Sequence, residues 1–159
     1  MIKAPYYIVS DNHFFMDCNN KEMDRREKLF KVIKCIKNKG EGTLILGGDF
    51  FDYWFEYKNK IPSGYENLLH ELKNLINSGI EIHYVLGNHD YWDFGYLNKI
   101  IGITTHKKDL SISYNNKNIL ITHGDGILKN DYGYRFMKKI IRSKIFIKIY
   151  NLFNPNFTT

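Results

Sequence analysis

The run Leu44-Ile45-Leu46-Gly47-Gly48-Asp49 constrains the fold of this 159-residue chain more than any other stretch. An unbroken apolar β run stops at two glycines and delivers a carboxylate. Strands buried on both faces carry continuous apolar runs, and ligands of open α/β sheets collect outside the carboxyl ends of the strands. Asp49 is therefore expected at the rim of a site, with Asp52 close to the same rim.

The same grammar recurs three times. Tyr6-Tyr7-Ile8-Val9-Ser10 runs into Asp11-Asn12-His13, Ile80 to Leu86 runs into Gly87-Asn88-His89-Asp90, and Ile119-Leu120-Ile121-Thr122 runs into His123-Gly124-Asp125. Asp, Asn and Gly are ordinary turn residues, so one such strand end would mean little. Four in order point to a shared site.

The length suits one domain, residues 1–159, with a proper core. Hydrophobic residues at 43% and charged residues at 25% are ordinary for a globular chain. No apolar tract approaches a membrane span and the start lacks a signal-peptide core, so a cytoplasmic protein is expected. Cys18 and Cys35 have no metal-site spacing; both are expected as free thiols, Cys35 packed and Cys18 exposed. The net charge of +6 suggests an anionic partner, although no nucleic-acid motif accompanies it and none is expected to bind.

Met23 to Lys37 carries Leu29, Phe30, Val32, Ile33 and Ile36 at helical spacing, which predicts a βαβ unit with parallel strands and brings Asp11 and Asp49 to one edge. Ser63-Gly64-Tyr65-Glu66 matches a capping box ahead of a helix bearing Leu68, Leu69, Leu72, Leu75 and Ile76. A short helical stretch is expected near Phe94 to Ile101, then a hairpin of Leu110 to Tyr114 and Asn118 to Thr122. Lys129 to Phe153 predicts one long helix or a bent pair, stopped at Asn154-Pro155-Asn156.

Asp11, His13, Asp49, Asn88 and His123 together offer carboxylates, imidazoles and an amide oxygen but no thiolate. Such mixed donors suit manganese, iron or zinc rather than a soft-metal cluster. A central carboxylate can bridge two divalent ions, and Asp49 is the natural bridge, with Asp11 and His13 on one ion and Asn88 and His123 on the other.

Asp11-x-His13, Gly48-Asp49-x-x-Asp52, Gly87-Asn88-His89-Asp90 and His123-Gly124-Asp125 resemble the motifs of the calcineurin-like metallophosphoesterases. Within that family, Gly48 to Trp54, and His123 to Gly126 followed by Asp131-Tyr132-Gly133-Tyr134, resemble the UDP-2,3-diacylglucosamine diphosphatase branch of lipid A biosynthesis. The resemblance implies a four-layer α/β/β/α fold, two divalent ions with manganese first, and a lipid-linked sugar nucleotide substrate. It places Asn88 and His89 at the substrate phosphate, has Asp52 orient His89, and lets Asp131 and Tyr134 touch the substrate. Asp52 and Asp125 also have a plain reading as turn caps.

Two departures stand out: Phe15 occupies a position where many relatives have Gly, and the family's closing Gly-His-x-His is absent, so the chain is expected to be a truncated member. His70, His83 and His106 are poor substitutes for those ligands. The segment 129–153 interleaves Arg135, Lys138, Lys139, Arg142, Lys144 and Lys148 with apolar residues. It is expected to be a helical cap, either lying on the inner membrane or docked on the sheet with its lysines in water.

Overall fold

The computed structural model describes residues 2–57, 60–128 and 130–152. Strands β1 (Tyr6–Val9), β2 (Thr43–Leu46), β3 (Glu81–Val85) and β4 (Thr104–His106) form one parallel sheet in that order. Val9 registers with Leu46, and Leu46 with Tyr84, so the first three strands finish level. Everything that follows them in sequence is delivered to one edge, as the βαβ pattern predicts.

The two-residue period of β2 decides what covers each face. Leu44 and Leu46 join Ile82 and Tyr84 under α1 (Asn20–Lys39), α2 (Glu66–Asn77) and a five-residue π-helical turn, Leu97–Ile101. Ile45 and Val85 face the other way, against the antiparallel hairpin of β5 (Leu110–Tyr114) and β6 (Lys117–Ile121). Helices, parallel sheet and hairpin are thus successive layers of a mixed α/β fold. All four residues of β2 are buried.

Local chemistry sets the helix ends. Asn19 caps α1 by accepting the Glu22 amide, so the helix begins at Asn20, three residues before the expected start, and Gly40 closes it in the left-handed region at φ 72°. The face of α1 turned inward carries Leu29, Ile33 and Ile36 but also Glu22 and Arg26, both nearly inaccessible. Arg26 Nε meets Glu22 Oε1 at 3.2 Å. Its Nη1 donates to the Gly64 carbonyl and Asn67 Oδ1, and its Nη2 to the Phe15 carbonyl. One guanidinium therefore ties the loop after β1 to the start of α2, and because all its bonds are made inside the protein the burial is tolerable.

Several expectations need correction. Ser63 does not cap α2; the helix begins at Glu66 after Tyr65, and Glu66 turns its carboxylate back to the Gly64 amide. Cys35 is exposed, like Cys18, because it falls between the buried Ile33 and Ile36 positions on the solvent side of α1. Val32 is likewise largely exposed. The helical stretch near Phe94 shrinks to the π-helical turn, and β4 was not foreseen at all. The C-terminal region is the bent pair: α3 (Tyr132–Ile141) and α4 (Lys144–Tyr150), with Ser143 as the N-cap of α4. Lys129, Phe153 and the expected stop at Asn154-Pro155-Asn156 lie outside the described residues. No helix among the described residues is long and apolar enough to cross a membrane.

The unforeseen strand brings His106 against His83. Their rings stack at 14° with centroids 5.2 Å apart, and His83 Nδ1 lies 2.9 Å from His106 Nε2. Burial lowers the pKa of both; Glu81, 3.9 Å from His83, works in the opposite direction, and each proton on His83 lowers His106 further. The unfolded chain takes up protons at these sites near the ordinary value of about 6.5, before the folded chain does, so the pair favours unfolding as pH falls through that window. The loss of unfolding free energy between about pH 7.5 and about 5.5 should therefore be smaller in His106→Gln than in the native chain, as read by urea titrations. An equal loss in both would show that the pair does not titrate with folding.

Candidate metal centre

The ends of β1 and β2 continue to bond to each other beyond the strands. The Gly47 amide donates to the Val9 carbonyl, Asp11 to Gly48, His13 to Asp49 and Phe14 to Phe50, at 2.8–3.0 Å, and Asp52 returns a bond to Phe14. Within this zipper Asp11, His13 and Asp49 adopt φ of 52°, 44° and 48°. Left-handed backbone at non-glycine residues is uncommon and costs energy, and such positions cluster at functional sites. Here it turns three side chains from two neighbouring strands toward one another.

Asp49 is the centre. Its Oδ2 lies 3.5 Å from His13 Nε2 and 3.3 Å from His123 Nε2, while Oδ1 accepts the His89 amide at 3.0 Å. His123 Nε2 also approaches Asn88 Oδ1 at 3.1 Å, and His123 Nδ1 stands 3.9 Å from Asp11 Oδ1. His13 and His89 meet edge to face with centroids 4.7 Å apart. All five expected ligands converge. The carboxylate and imidazole donors, with His89 added, group as His13, Asp49 and His89, and as Asp11, Asp49 and His123, each set within 4.8 Å, so Asp49 is common to both. Asp11 lies beside His123 and His89 beside His13, and Asn88 also meets His123.

Two glycines make this approach possible. A Cβ on Gly48 would stand 2.4 Å from His123 Nδ1, and one on Gly87 would stand 2.0 Å from Asp49 Oδ1. Gly48 also has φ 105°, so both backbone and space require glycine there. Burial would raise the pKa of Asp49, but the bonds from His123 and the His89 amide hold it below the ordinary carboxylate value. The same hydrogen bond to Asp49 raises His123, against the effect of its burial.

His89 is held by its Nδ1, which lies 2.6 Å from the Asp52 backbone carbonyl. A carbonyl only accepts, so Nδ1 carries the proton and Nε2 is the nitrogen left to act. The Asp52 carboxylate is farther, 4.0 Å from His89 Nδ1 and 3.6 Å from His13 Nδ1. Asp52 thus orients His89 through its backbone. Asp131 caps α3, accepting the Tyr134 amide at 3.2 Å from an exposed position, and the Tyr134 hydroxyl donates to Asp125 Oδ2 at 2.9 Å.

Two carboxylates matter in ways that single positions in a sequence do not announce. Asp90 is fully buried; it accepts the Gly87 amide on one oxygen and the Phe50 amide and Tyr84 hydroxyl on the other, which pins the Asn88–His89 turn to the segment after Asp49. Burial, with Asp49 nearby, pushes its pKa up to about 7. Asp125 is more than a turn cap. Its Oδ2 takes Lys138 Nζ at 2.6 Å, Arg142 Nη2 at 3.2 Å and the Tyr134 hydroxyl. Burial alone would raise its pKa, but these donors bring it below the usual value. Arg142 also donates to the Gly87 carbonyl and lies over the Tyr91 ring, 3.9 Å from its centroid, so α3 is fastened to both ligand-bearing turns.

His70 is exposed on α2, and His83 and His106 bond to each other on the sheet; none joins the cluster. The donor set itself fits divalent ions. Three imidazoles, one further carboxylate and an amide oxygen surround the shared Asp49 carboxylate, and His123 Nδ1 is buried with no hydrogen-bond partner among the described residues. Asp11, His13, Asp49, Asn88, His89 and His123 are the residues that could hold such ions.

A match to the calcineurin-like phosphoesterase family runs over residues 4–155. The chain is 28% identical over 158 residues to a UDP-2,3-diacylglucosamine hydrolase of Porphyromonas gingivalis, covering 99% of this chain and 60% of that protein. The hydrolase of the same name from Pseudomonas fluorescens is 28% identical over 142 residues, with 89% and 55% covered, and that of Proteus mirabilis 27% over 110 residues, with 69% and 45% covered. The chain therefore spans about half the length of the curated relatives it matches. Among solved structures, a protein of unknown function from Aquifex aeolicus overlaps 86% of this chain and 70% of its own length at 22% identity and a TM-score of 0.47. With strand ends, ligand geometry and a family match over nearly the whole sequence in agreement, the chain belongs to the calcineurin-like phosphoesterase family.

Proposed function

We propose that the chain is a dinuclear metal-dependent hydrolase that cleaves UDP-2,3-diacylglucosamine to 2,3-diacylglucosamine 1-phosphate and UMP, working in the cytoplasm at the inner membrane. The convergence of His13, His89 and His123 on the one Asp49 carboxylate carries the reaction class. The names of the relatives support the substrate. So does a partly open aromatic pocket of about 130 Å³, lined by Tyr53, Phe55, Trp92, Ile141, Phe146 and Tyr150, between the segment after Asp49 and the α3–α4 pair. Outside it, Phe136, Ile140, Ile145 and Ile149 are exposed among lysines, a surface suited to an anionic bilayer.

Two divalent ions, manganese or else iron or zinc, would share Asp49, with Asp11, His13, Asn88 and His123 as the other proposed ligands. Bound there, they supply Lewis acidity toward phosphoryl oxygens and a nucleophile at neutral pH. The chain's own residues do the rest. Asn88, fixed by the Asp90 bonds to its turn, is aimed at the same rim as His123. His89, its Nδ1 proton held by the Asp52 carbonyl, presents Nε2 where charge develops on the transferring phosphoryl group. Tyr134 and Asp131 approach the substrate from the start of α3.

Metal binding tests the shared carboxylate. Asp49→Asn should remove more manganese than His13→Asn or His123→Asn, because only Asp49 belongs to both groups. Elemental analysis of the purified proteins reads the difference; equal losses would count against Asp49 as the shared ligand, and a native chain without metal would point to a fragment that binds without catalysing.

His89 is expected to act on the phosphate. In His89→Asn, kcat should fall by roughly 10²–10⁴-fold while metal content stays unchanged. Loss of metal would make His89 a ligand, as its place beside His13 and Asp49 also allows.

Acyl recognition separates the lipid substrate from a soluble one. Binding energy remote from the reacting phosphorus can be used in the transition state, so kcat/KM should be well above that for UDP-N-acetylglucosamine, and Phe146→Ser, which opens the aromatic pocket, should erase much of the preference. Equal turnover of acylated and unacylated nucleotides by the native chain would leave a general phosphodiesterase acting on soluble substrates.

A further inference from the structure

The zipper between the ends of β1 and β2 engages the amides of Asp11 and His13, which donate to the Gly48 and Asp49 carbonyls. The carbonyls of the same turn go to a side chain. Arg25, on the second turn of α1, donates from Nη2 to the Asn12 carbonyl and, at 3.2 Å, to the His13 carbonyl, which Nη1 also reaches at 3.2 Å. In an extended chain the carbonyls of successive residues point to opposite sides. The left-handed φ of 44° at His13 brings these two round to one side, where a single guanidinium meets both. The bonds to Arg25 therefore depend on the same backbone conformation that sets His13 Nε2 3.5 Å from Asp49 Oδ2.

Arg25 is itself held in place. Its Nη1 meets Glu22 Oε2 at 2.5 Å, and the buried Glu22 accepts the Phe15 amide on its other oxygen at 3.1 Å. The guanidinium carbon lies 5.3 Å from the Phe14 ring centroid and 5.7 Å from that of Phe15. A planar fork with five donors can serve two carbonyls and a carboxylate together, whereas the ammonium of lysine is a compact point charge. The bonds of Arg25 go to main-chain carbonyls and to Glu22, so any effect on the candidate ligands passes through the turn that carries them.

We propose that Arg25 is a positioning residue of the metal centre, clamping the turn from Asp11 to His13 in the conformation that presents both side chains to Asp49. The proposal rests on the metal-binding reading above and adds a residue outside the ligand set. The turn supplies Asp11 to one donor group and His13 to the other, so loosening it weakens both groups together.

Calorimetric titration of manganese into the full chain, stripped of metal by a chelator, is the first test. Arg25→Ala should bind manganese about tenfold or more weakly, the loss typical of residues that orient ligands from behind. Arg25→Lys keeps the charge opposite Glu22 but not the fork, and should recover little of that loss; it is also the variant to read should Arg25→Ala not fold. Lys28→Ala removes a cation from the groove that Arg25 lines with Asn12 and Phe14, and should bind as the native chain does. Amide hydrogen exchange gives a readout that needs no metal. In Arg25→Ala the Asp11 and His13 amides should exchange about tenfold or more faster, over and above any change in the amides of β2 and β3. Native affinity in Arg25→Ala or Arg25→Lys, an equal loss in Lys28→Ala, or equal acceleration in turn and sheet overturns the proposal. A native chain that binds no manganese sinks the metal reading instead, and the exchange pattern then decides alone whether Arg25 holds the turn.

Discussion

A carboxylate held under cover at the end of a fully buried strand is the constraint from which the rest of this structure follows. Asp49 can be there because β2 is covered on both faces, by helices over Leu44 and Leu46 and by the hairpin over Ile45. Burial alone would favour the neutral acid. The imidazole of His123 and the amide of His89 reverse that preference. Each of them comes from a different strand end, so keeping Asp49 charged and keeping three chain segments in register are one and the same requirement.

The shell behind the centre is built from other carboxylates used as fasteners. Asp90 ties the Asn88 turn to the segment after Asp49, Asp125 fastens α3 to the His123 turn, and farther out the Glu22–Arg26 pair locks α1 to the loop that follows β1. Such pairs contribute little net stability when compared with well-packed apolar residues, yet removing one member leaves a buried charge without its partner. Their evident effect is geometric. They remove the freedom of the turns on which the ligands sit.

How much of this was legible in the sequence depended on whether the signal was local. The ends of β1, β2, β3 and β6 could be read because an apolar run followed by Asp, Asn, Gly or His is a contiguous pattern, and the candidate ligands Asp11, His13, Asp49, Asn88 and His123, which the fold brings together, come directly from it. The strand Thr104–His106 carried no such pattern: it is short and polar, and it exists because β3 offers it a free edge. Cys35 is exposed because neighbours on a helix differ by a 100° turn, which carries it off the stripe of Ile33 and Ile36 although it stands between them in sequence. The roles of Asp90 and Asp125 were hidden for a different reason. Their partners Phe50, Tyr84, Lys138 and Arg142 lie between 6 and 40 residues away, and only the folded chain brings them together.

The left-handed backbone at Asp11, His13 and Asp49 also limits what chemistry these positions can explore. Asp, Asn and His are the residue types, other than glycine, that most readily occupy that region, and they are also the oxygen and imidazole donors of the centre. Glutamate would lengthen the arm and fit the backbone poorly, and cysteine would bring a soft donor to a conformation that does not favour it. The candidate donors are thus limited twice, once by the hard-donor chemistry a divalent ion would need and once by the turn that must present them. Drift of this centre toward a thiolate site would require the β1–β2 zipper to be rebuilt first, so the fold itself guards the hardness of its donor set.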